Sequence, residues 1–449
     1  MSQYDDFVLL SAQLVSTRNT DYSGEDIRQF VQNFSIYESI LSPVLTLKLL
    51  ITETHSLLEK FDFTGGERLT LRLTRPEDLE YQENIVEKTF RLTKIMNARK
   101  GGERAETISF HGVEEYGFAS SVKNVNRAYS GKPGDIIKKI TEEYLNKLTD
   151  IIGEEAQGNL KIIIPNLTPL ESIKWISSRM TTSDGLPFYV YSTLGYNNIL
   201  VNNLQNLLQD PCINEKTPYG FWQGVNNSYE DDKTRNYVIQ NYKIENNDDI
   251  IGLIRHGAVG SEYNFFDITR GRATKIYHNV ENVFQMLLEN AYLSPGQDKF
   301  NYGPETYVDD LKLGEYNSNR ITSIASSDVY GYPYKSIDQE EHTGSYNNKI
   351  VARSLHAFLN KTPITIQVPG KLYLSNKGNS TIGNKIKILF FNSIADMDPD
   401  KHGLDTKKSG DYIIYSTQHT FHHGNGNRHF INMQCVKLAS ITDNNAGIK

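Results

Sequence analysis

Cysteine is nearly absent from this chain: Cys212 and Cys435 are the only two among 449 residues. So few thiols, so far apart, exclude a disulfide framework or a thiolate metal site as the organising principle. Long apolar runs are also missing. The longest, around Val44 to Ile51, is broken by Thr46 and Lys48 and is too short to span a bilayer. The opening MSQYDDFVLL has neither the basic stretch nor the apolar core of an export signal. A soluble protein made without Sec-type export, with no stable membrane association, is the expectation. Nor is there a basic tract to hold nucleic acid, since charged residues make up 22% and the net charge is −7. The signatures Gly-x-x-x-x-Gly-Lys-Ser/Thr, His-Glu-x-x-His and Gly-x-Ser-x-Gly do not occur. P-loop, zincin and serine-hydrolase readings therefore lack their motifs.

What is present points to β-structure. Tyrosine is frequent at 27 residues against 14 prolines, and tyrosine suits strands and half-wet interfaces. The length suits two to four domains with real cores. Period-two alternation dominates the first 115 residues: Leu45, Leu47, Leu49 and Ile51 share one face, and Leu69, Leu71 and Leu73 repeat the pattern after Gly65-Gly66. Lys88–Ala98 and Arg104–His111 read as a hairpin around Gly101-Gly102. Such a sheet packs on one side and leaves a second face for solvent or a partner. The middle of the chain turns helical. Gly134–Lys147, opened by Pro133, spaces Ile136, Ile137, Ile140, Tyr144 and Leu148 as one stripe. Thr168-Pro-Leu-Glu171 is a capping box leading to Ile173, Ile176 and Met180, and Phe188–Thr193 with Asn198–Asn202 predicts a hairpin. Strands resume near Tyr237–Glu245 and Gly260–Asp267, followed by helices at Val280–Ala291 and Asn348–Asn360. Ser294–Ser345 is polar and aperiodic and reads as an extended or mobile insertion. The last strands are expected at Ile364–Pro369, Lys385–Phe391, Asp411–His419 and His429–Lys437.

The two β regions echo each other. Thr64-Gly-Gly-Glu-Arg-Leu-Thr-Leu-Arg-Leu73 and Thr381-Ile-Gly-Asn-Lys-Ile-Lys-Ile-Leu-Phe390 share a glycine turn, a polar residue, a basic residue and an alternating strand. Each precedes a strand, a glycine-bearing hairpin and another strand. If the echo is structural, one chain carries two copies of one β domain, and three chains carry six. The expected architecture is α+β and β-rich. Its units are a first β domain at 1–118, an α/β module at 119–205, a second β domain at 206–275 with 346–449, and a helical and irregular insertion at 276–345.

Candidate chemistry is thin. His419, His422, His423 and His429 cluster in sequence and are the only metal candidates. They flank a hairpin without an adjacent acid or cysteine, so histidines capping a polar hairpin are the simpler account. The neighbours Glu114-Glu115 and the run Glu230-Asp231-Asp232 do not form the cleft-facing pair that acid–base catalysis needs. Trp175 and Met180 read as core. Phe221-Trp222, between Gly220 and Gly224, is either a local anchor or a subunit contact, and Tyr332 and Tyr334 are further interface candidates. No catalytic residue and no cofactor are expected.

Several segments, in order, then carry a resemblance. They are Phe34–Pro43 running into Leu45–Glu53 and Gly66-Glu67, Ile108–His111 followed by Ser121–Tyr129 and the helix after Gly131, and Ile162–Asn166 with Thr168–Met180 and Phe188–Tyr191. Ser375–Phe390, Gly410–Ile414, His419 and His429 complete the set. This ordered set, covering most of the chain outside 276–345, resembles the central baseplate hub proteins of T-even-type contractile phages. The resemblance implies two tail-tube-like antiparallel β-barrel or sandwich domains and a homotrimer that joins a six-fold tail tube to a three-fold cell-puncturing spike. It further implies a lumen, acidic or neutral, through which DNA passes only in transit. The implied partners are the spike, the tube or a tube-initiator protein and neighbouring baseplate proteins, in a virion assembled in the host cytoplasm. The 276–345 segment departs from the family pattern. Without a β-helix repeat or a lysozyme-like segment, spike and wall-cutting activity are expected on another protein. A hub of a non-phage contractile injection system, a tail-associated cell-wall hydrolase and a receptor-binding tail protein are the alternatives.

Overall fold

The computed structural model describes residues 5–16, 24–53, 63–100, 105–220, 236–245, 249–267, 272–300, 307–317, 320–325, 339–374, 381–390, 404–424 and 426–441. The first part is antiparallel: β1 (Val8–Val15), β2 (Glu25–Asp26), β3 (Val31–Ser39), β4 (Ser42–Glu53), β5 (Glu67–Thr74), β6 (Val86–Lys100) and β7 (Glu106–Glu114). Alternation places these strands. Leu45, Leu47, Leu49 and Ile51 of β4 are fully buried, while Thr46, Lys48 and Thr52 line the opposite face.

The α/β module comes next: helix Glu115–Ser121, β8 (Ala128–Gly131), helix Pro133–Ile140, β9 (Thr149–Ile151), β10 (Leu160–Ile163), helix Pro169–Ser177, β11 (Phe188–Tyr191), β12 (Ile199–Asn203) and helix Leu204–Gln209. The capping box forms, with the Glu171 N–H donating to Thr168 Oγ1 at 3.3 Å and the Thr168 N–H donating to Glu171 Oε2 at 2.9 Å. The preceding helix is shorter than its apolar spacing predicts. It ends at Ile140, continues as a π-turn over Thr141–Leu145, and stops where Asn146 adopts φ +52°. That left-handed residue redirects the chain into β9, so Leu148, expected on the buried stripe, is 60% exposed.

The second β region contains β13 (Tyr219–Gly220), β14 (Asn241–Ile244), helix Ile250–Arg255, β15 (Gly260–Asp267), β16 (Arg272–Asn279) and helix Val280–Glu289. β17 (Lys299–Phe300), β18 (Tyr307–Val308), β19 (Leu311–Lys312), β20 (Arg320–Ala325) and helix Gln339–Leu359 lead to β21 (Ile364–Pro369), β22 (Lys385–Leu389), β23 (Gly410–His422) and β24 (Arg428–Val436). Parts of the aperiodic 294–345 stretch are therefore built into the fold. β20 pairs with β15 in parallel, and the side chain of buried Gln297 bonds the backbone of Asp411 and Ala439. Among the described residues, no helix is long and apolar enough to cross a membrane.

Thirteen strands form one sheet along the path β14-β21-β24-β23-β3-β4-β7-β6-β5-β1-β2, with β22 also pairing β23 and β13 pairing β22. Instead of two separately closed barrels, the described strands make one open, largely antiparallel sheet. Its two halves are copies in topology: β1-β5-β6-β7-β4-β3 and β13-β22-β23-β24-β21-β14 run in the same order. The echo in sequence marks equivalent atoms. Gly66 N–H donates to Leu92 O at 2.6 Å and Gly383 N–H to Ile414 O at 2.9 Å, with φ of +93° and +77°. A bulge follows each contact, between Leu92 and Lys94 in β6 and between Ile414 and Ser416 in β23. One difference is that β13 runs parallel to β22 whereas β1 runs antiparallel to β5.

The expected unit limits at 118, 205, 275 and 345 all fall inside elements: helix Glu115–Ser121, helix Leu204–Gln209, β16 and helix Gln339–Leu359. Separation lies in the cores. Phe34, Leu47, Leu71, Phe90 and Phe110 fill the first, Ile136, Ile140, Ile173 and Ile176 the second, and Tyr219, Phe358, Ile366, Ile414 and Met433 the third. Lys88 stitches the first sheet to the module. Buried with Glu114 at 3.9 Å, it donates to Tyr196 O at 2.7 Å, and burial lowers its pKa.

Both turn glycines need positive φ, but only one has room for a side chain. A Cβ on Gly66 would touch Phe118 at an ordinary 3.5 Å, while on Gly383 it would overlap the Tyr191 hydroxyl. Gly66→Ala is expected to cost about 1 kcal/mol from left-handed strain, and Gly383→Ala about 3 kcal/mol because a clash adds to it. Urea midpoints of the two variants check this ordering.

Candidate functional site

The two repeats meet where β3 pairs antiparallel with the C-terminal half of β23, from Ser39 opposite Ser416 to Asn33 opposite His422. On the core side of this seam, Phe34 and Phe421 stack with centroids 4.6 Å apart, and the His429 ring stacks on Phe421 at 4.0 Å. Phe7 of β1's approach packs edge-on to Phe421 at 5.1 Å. Into this apolar strip the sequence places one carboxylate. Glu38, 3% exposed, accepts the Leu194 N–H at 2.7 Å and the Thr193 hydroxyl at 3.2 Å. His419 Nε2 lies 3.2 Å from Glu38 Oε1, and its Nδ1 lies 3.2 Å from His429 Nε2. The three groups are buried, so each needs the others to offset lost hydration. Burial, and then the neighbouring His419, hold the His429 imidazole well below the usual histidine range. Gly370 belongs to the same packing, because a Cβ there would overlap the His429 ring.

The opposite side of the sheet is polar and continuous across the seam. Register places Arg68, Arg91, Val113, Thr46, Tyr37 and Gln418 in one row, and Lys48, Ser35, Thr420 and Phe430 in the next. Hydroxyl and amide pairs bridge strands on this face: Thr70–Thr89 at 3.0 Å, Thr52–Thr107 at 3.1 Å, Ser35–Thr420 at 3.3 Å and Ser416–Gln434 at 2.9 Å. Three arginines of the first repeat are matched. Arg72 meets Glu87 at 3.1 Å, and Glu115 receives Arg91 at 2.7 Å and Arg68 at 3.4 Å. The second repeat presents mainly amides and hydroxyls, including Thr365, Gln367, Gln418, Asn432 and Gln434.

The structure brings two of the four candidate histidines together. His419 and His429 touch, whereas His422 lies near Phe430 and His423 meets Asn427 at 3.0 Å. An acid does stand beside His419, namely Glu38, which the sequence reading missed because 381 residues separate them. Its signal was available: after Phe34 and Ile36, a glutamate occupies the next core-side position of β3. Among the described residues, no three His, Cys, Asp or Glu side chains are disposed to hold a metal ion. Adjacent Glu114 and Glu115 point apart, one buried against Lys88 and one paired with arginines on the polar side. Met180 is buried, and Trp175 is covered by the Arg179 guanidinium at 4.0 Å. Phe221, Trp222, Tyr332, Tyr334 and the 230–232 acids lie outside the described residues.

No family model matches the chain, and no curated protein matches its sequence. Solved structures do share its fold. A tail protein from Neisseria meningitidis MC58 aligns over 96% of both chains with TM-score 0.52 and 13% identity. The 43 kDa tail protein of prophage MuSo2 from Shewanella oneidensis aligns over 95% of this chain and 98% of its own, with TM-score 0.51 and 10% identity. The β-rich fold with its large antiparallel sheet is thus one shared with these tail proteins.

A histidine kept neutral in the folded chain but free to protonate when unfolded makes stability depend on pH. The unfolded chain binds more protons below about pH 6.5, so stability is present above that value and falls as pH drops through it. We expect the unfolding free energy from urea titration to decline between about pH 7.5 and 5.5, at up to about 1.4 kcal/mol per pH unit for His429. His429→Gln should flatten that slope in part, since burial also lowers the pKa of His278 and His356. An unchanged slope in the variant would remove His429 as the source.

Proposed function

We propose that this chain is a structural hub of a contractile tail: a trimeric adapter between a six-fold tube and a three-fold spike, acting by assembly and without catalytic turnover. The observation that carries the reading is the duplication itself. Two copies of one six-strand topology are fused edge to edge and present a single continuous polar face. Three such chains supply six equivalent sheet units, which suits stacking against a six-fold ring. The same chain breaks that equivalence outside the sheet. β3 joins β4 through the two residues Ile40 and Leu41, whereas β14 and β21, their counterparts, are separated by the whole excursion carrying β15 to β20 and the long helix. Bulk therefore alternates from unit to unit, giving a three-fold pattern to a partner that meets the decorated rim.

In this reading the polar face lines the bore. It is mixed rather than acidic: Arg68, Arg72 and Arg91 are matched by Glu87 and Glu115, and the second repeat is mainly amides and hydroxyls. Such a surface lets a polyanion pass without the multiple phosphate contacts that bind DNA. The domain units are the two β repeats, the module and the excursion. Expected partners are the spike, the tube or its initiator and neighbouring baseplate proteins, in a virion tail. A hub in a non-phage contractile injection system would use the same geometry, and its spike partner would distinguish it.

The mass of the purified chain by light scattering, alone and with a candidate spike protein, tests the proposal. A species of three times 51.1 kDa is expected in at least one condition. A chain that stays monomeric with every tail partner would overturn it.

A further inference from the structure

The chain makes one repeat-to-repeat joint internally and leaves the parts of a second one unused. In the internal joint, β3 at the edge of the first repeat docks on β23 beyond its bulge. Carried across the duplication, β3 corresponds to β14 and β23 to β6. The correspondence holds along the rows of partners, with one further bulge in β6, between Ile95 and Asn97, that β23 lacks. Ile36, Leu47, Gly112 and Leu92 form one row of partners, and Ile244, Ile364, Cys435 and Ile414 form its equivalent. Further along the same strands, Ala98 opposes Ile108 as His419 opposes Ile431.

Both unused edges are in view. Among the described residues no strand pairs with the outer edge of β6 beyond Leu92, and β14 ends the sheet path. Beyond Leu92, β6 exposes Ile95 by 39% and Met96 by 50%, and β14 exposes Ile244 by 44%. The counterparts of Ile95 and Ile244 in the internal seam, Thr417 and Ile36, are buried at 4% and 0%. Apolar side chains on an open sheet edge invite strand addition unless a partner covers them. A cleft beside the β6 edge, lined by Phe63, Leu92, Thr93, Ile95 and Phe110, adjoins the same place.

We infer that β14 of a second copy of this chain docks antiparallel on the Lys94–Lys100 half of β6, repeating between chains the joint that β3 and β23 make within one. The register transfers directly: Ala98 faces Ile244 of the neighbour, Arg99 faces Lys243, and Asn97 faces Glu245. Glu245, the residue after β14, lies 2.5 Å from Lys243, which keeps an acid within diagonal reach of Arg99. Each chain then donates one strand and accepts one, a head-to-tail contact that closes into a ring or grows into a filament. This inference deepens the hub reading and rests on it.

The test is disulfide trapping in the full-length chain carrying A98C and I244C together, with A98C alone, I244C alone and the register-shifted pair R99C/I244C as controls. Facing strand residues meet the Cβ spacing a disulfide needs, so oxidation should yield interchain products in about tenfold excess over the shifted pair. Peptide mapping should find the bond between position 98 of one chain and position 244 of another, in species ending at three chains. Light scattering before oxidation separates the two ideas. A trimer that forms no such disulfide overturns the joint and leaves the hub intact, whereas a monomer in every condition overturns both. As a second measurement, Ile244→Asp should abolish the trimer while leaving the thermal melt of the isolated chain unchanged. A trimer that survives this substitution also counts against the joint.

Discussion

The seam between β3 and β23 is the constraint on which the rest of the architecture depends. Without it the two repeats are separate sheets, and no face runs from one to the other. What holds it is a strip of aromatic packing in which a carboxylate and two imidazoles are sealed. A sealed polar cluster in such a place adds little stability compared with apolar side chains of the same size. Its contribution is to alignment. Glu38 reaches His419, the Thr193 hydroxyl and the Leu194 N–H only when β3 sits in one register, and a slip by one residue would turn it toward solvent. The same contacts bind the module's β11–β12 loop to the joint, so three units are fixed relative to one another at one point.

Duplication followed by divergence explains the remaining differences. The twin glycines and twin bulges conserve the bend of the strand that receives a neighbour, while everything outside that strand has drifted. One repeat fills its edge with the chain's own β3, and the other has no strand on its edge among the described residues. Charge has drifted as well: the first repeat carries matched arginines, the second amides and hydroxyls.

Much of this was legible in the sequence where a local pattern decides the outcome. The alternations at Glu67–Thr74 and Ile364–Pro369 give strands with those bounds, because side-chain period and burial coincide there. The Thr64 and Thr381 segments announced the duplication through their glycine turns. Illegible were features that depend on distant partners. Helix Pro133–Ile140 stops early because β9 must begin beside β12, which apolar spacing cannot register. β20 joins β15 although its surroundings have no period. Glu38 stands at a core-side position of β3, but its partner His419 appears only when strands at opposite ends of the chain are placed side by side. The His cluster, conversely, drew attention by proximity in sequence, while only His419 and His429 share a site.

The long reach of that pairing has a consequence for how the chain is made. β3 is complete after 39 residues, but β23 begins only at Gly410. At ordinary synthesis rates the interval lasts on the order of tens of seconds, far longer than a hairpin takes to form. Throughout it, a nascent chain carries a finished half-sheet whose receiving strand does not yet exist. On a polysome, where several such chains grow close together, that edge can capture the β23 of a neighbour and produce domain-swapped aggregates. Slower elongation or denser ribosome loading should therefore trade soluble chains for swapped ones.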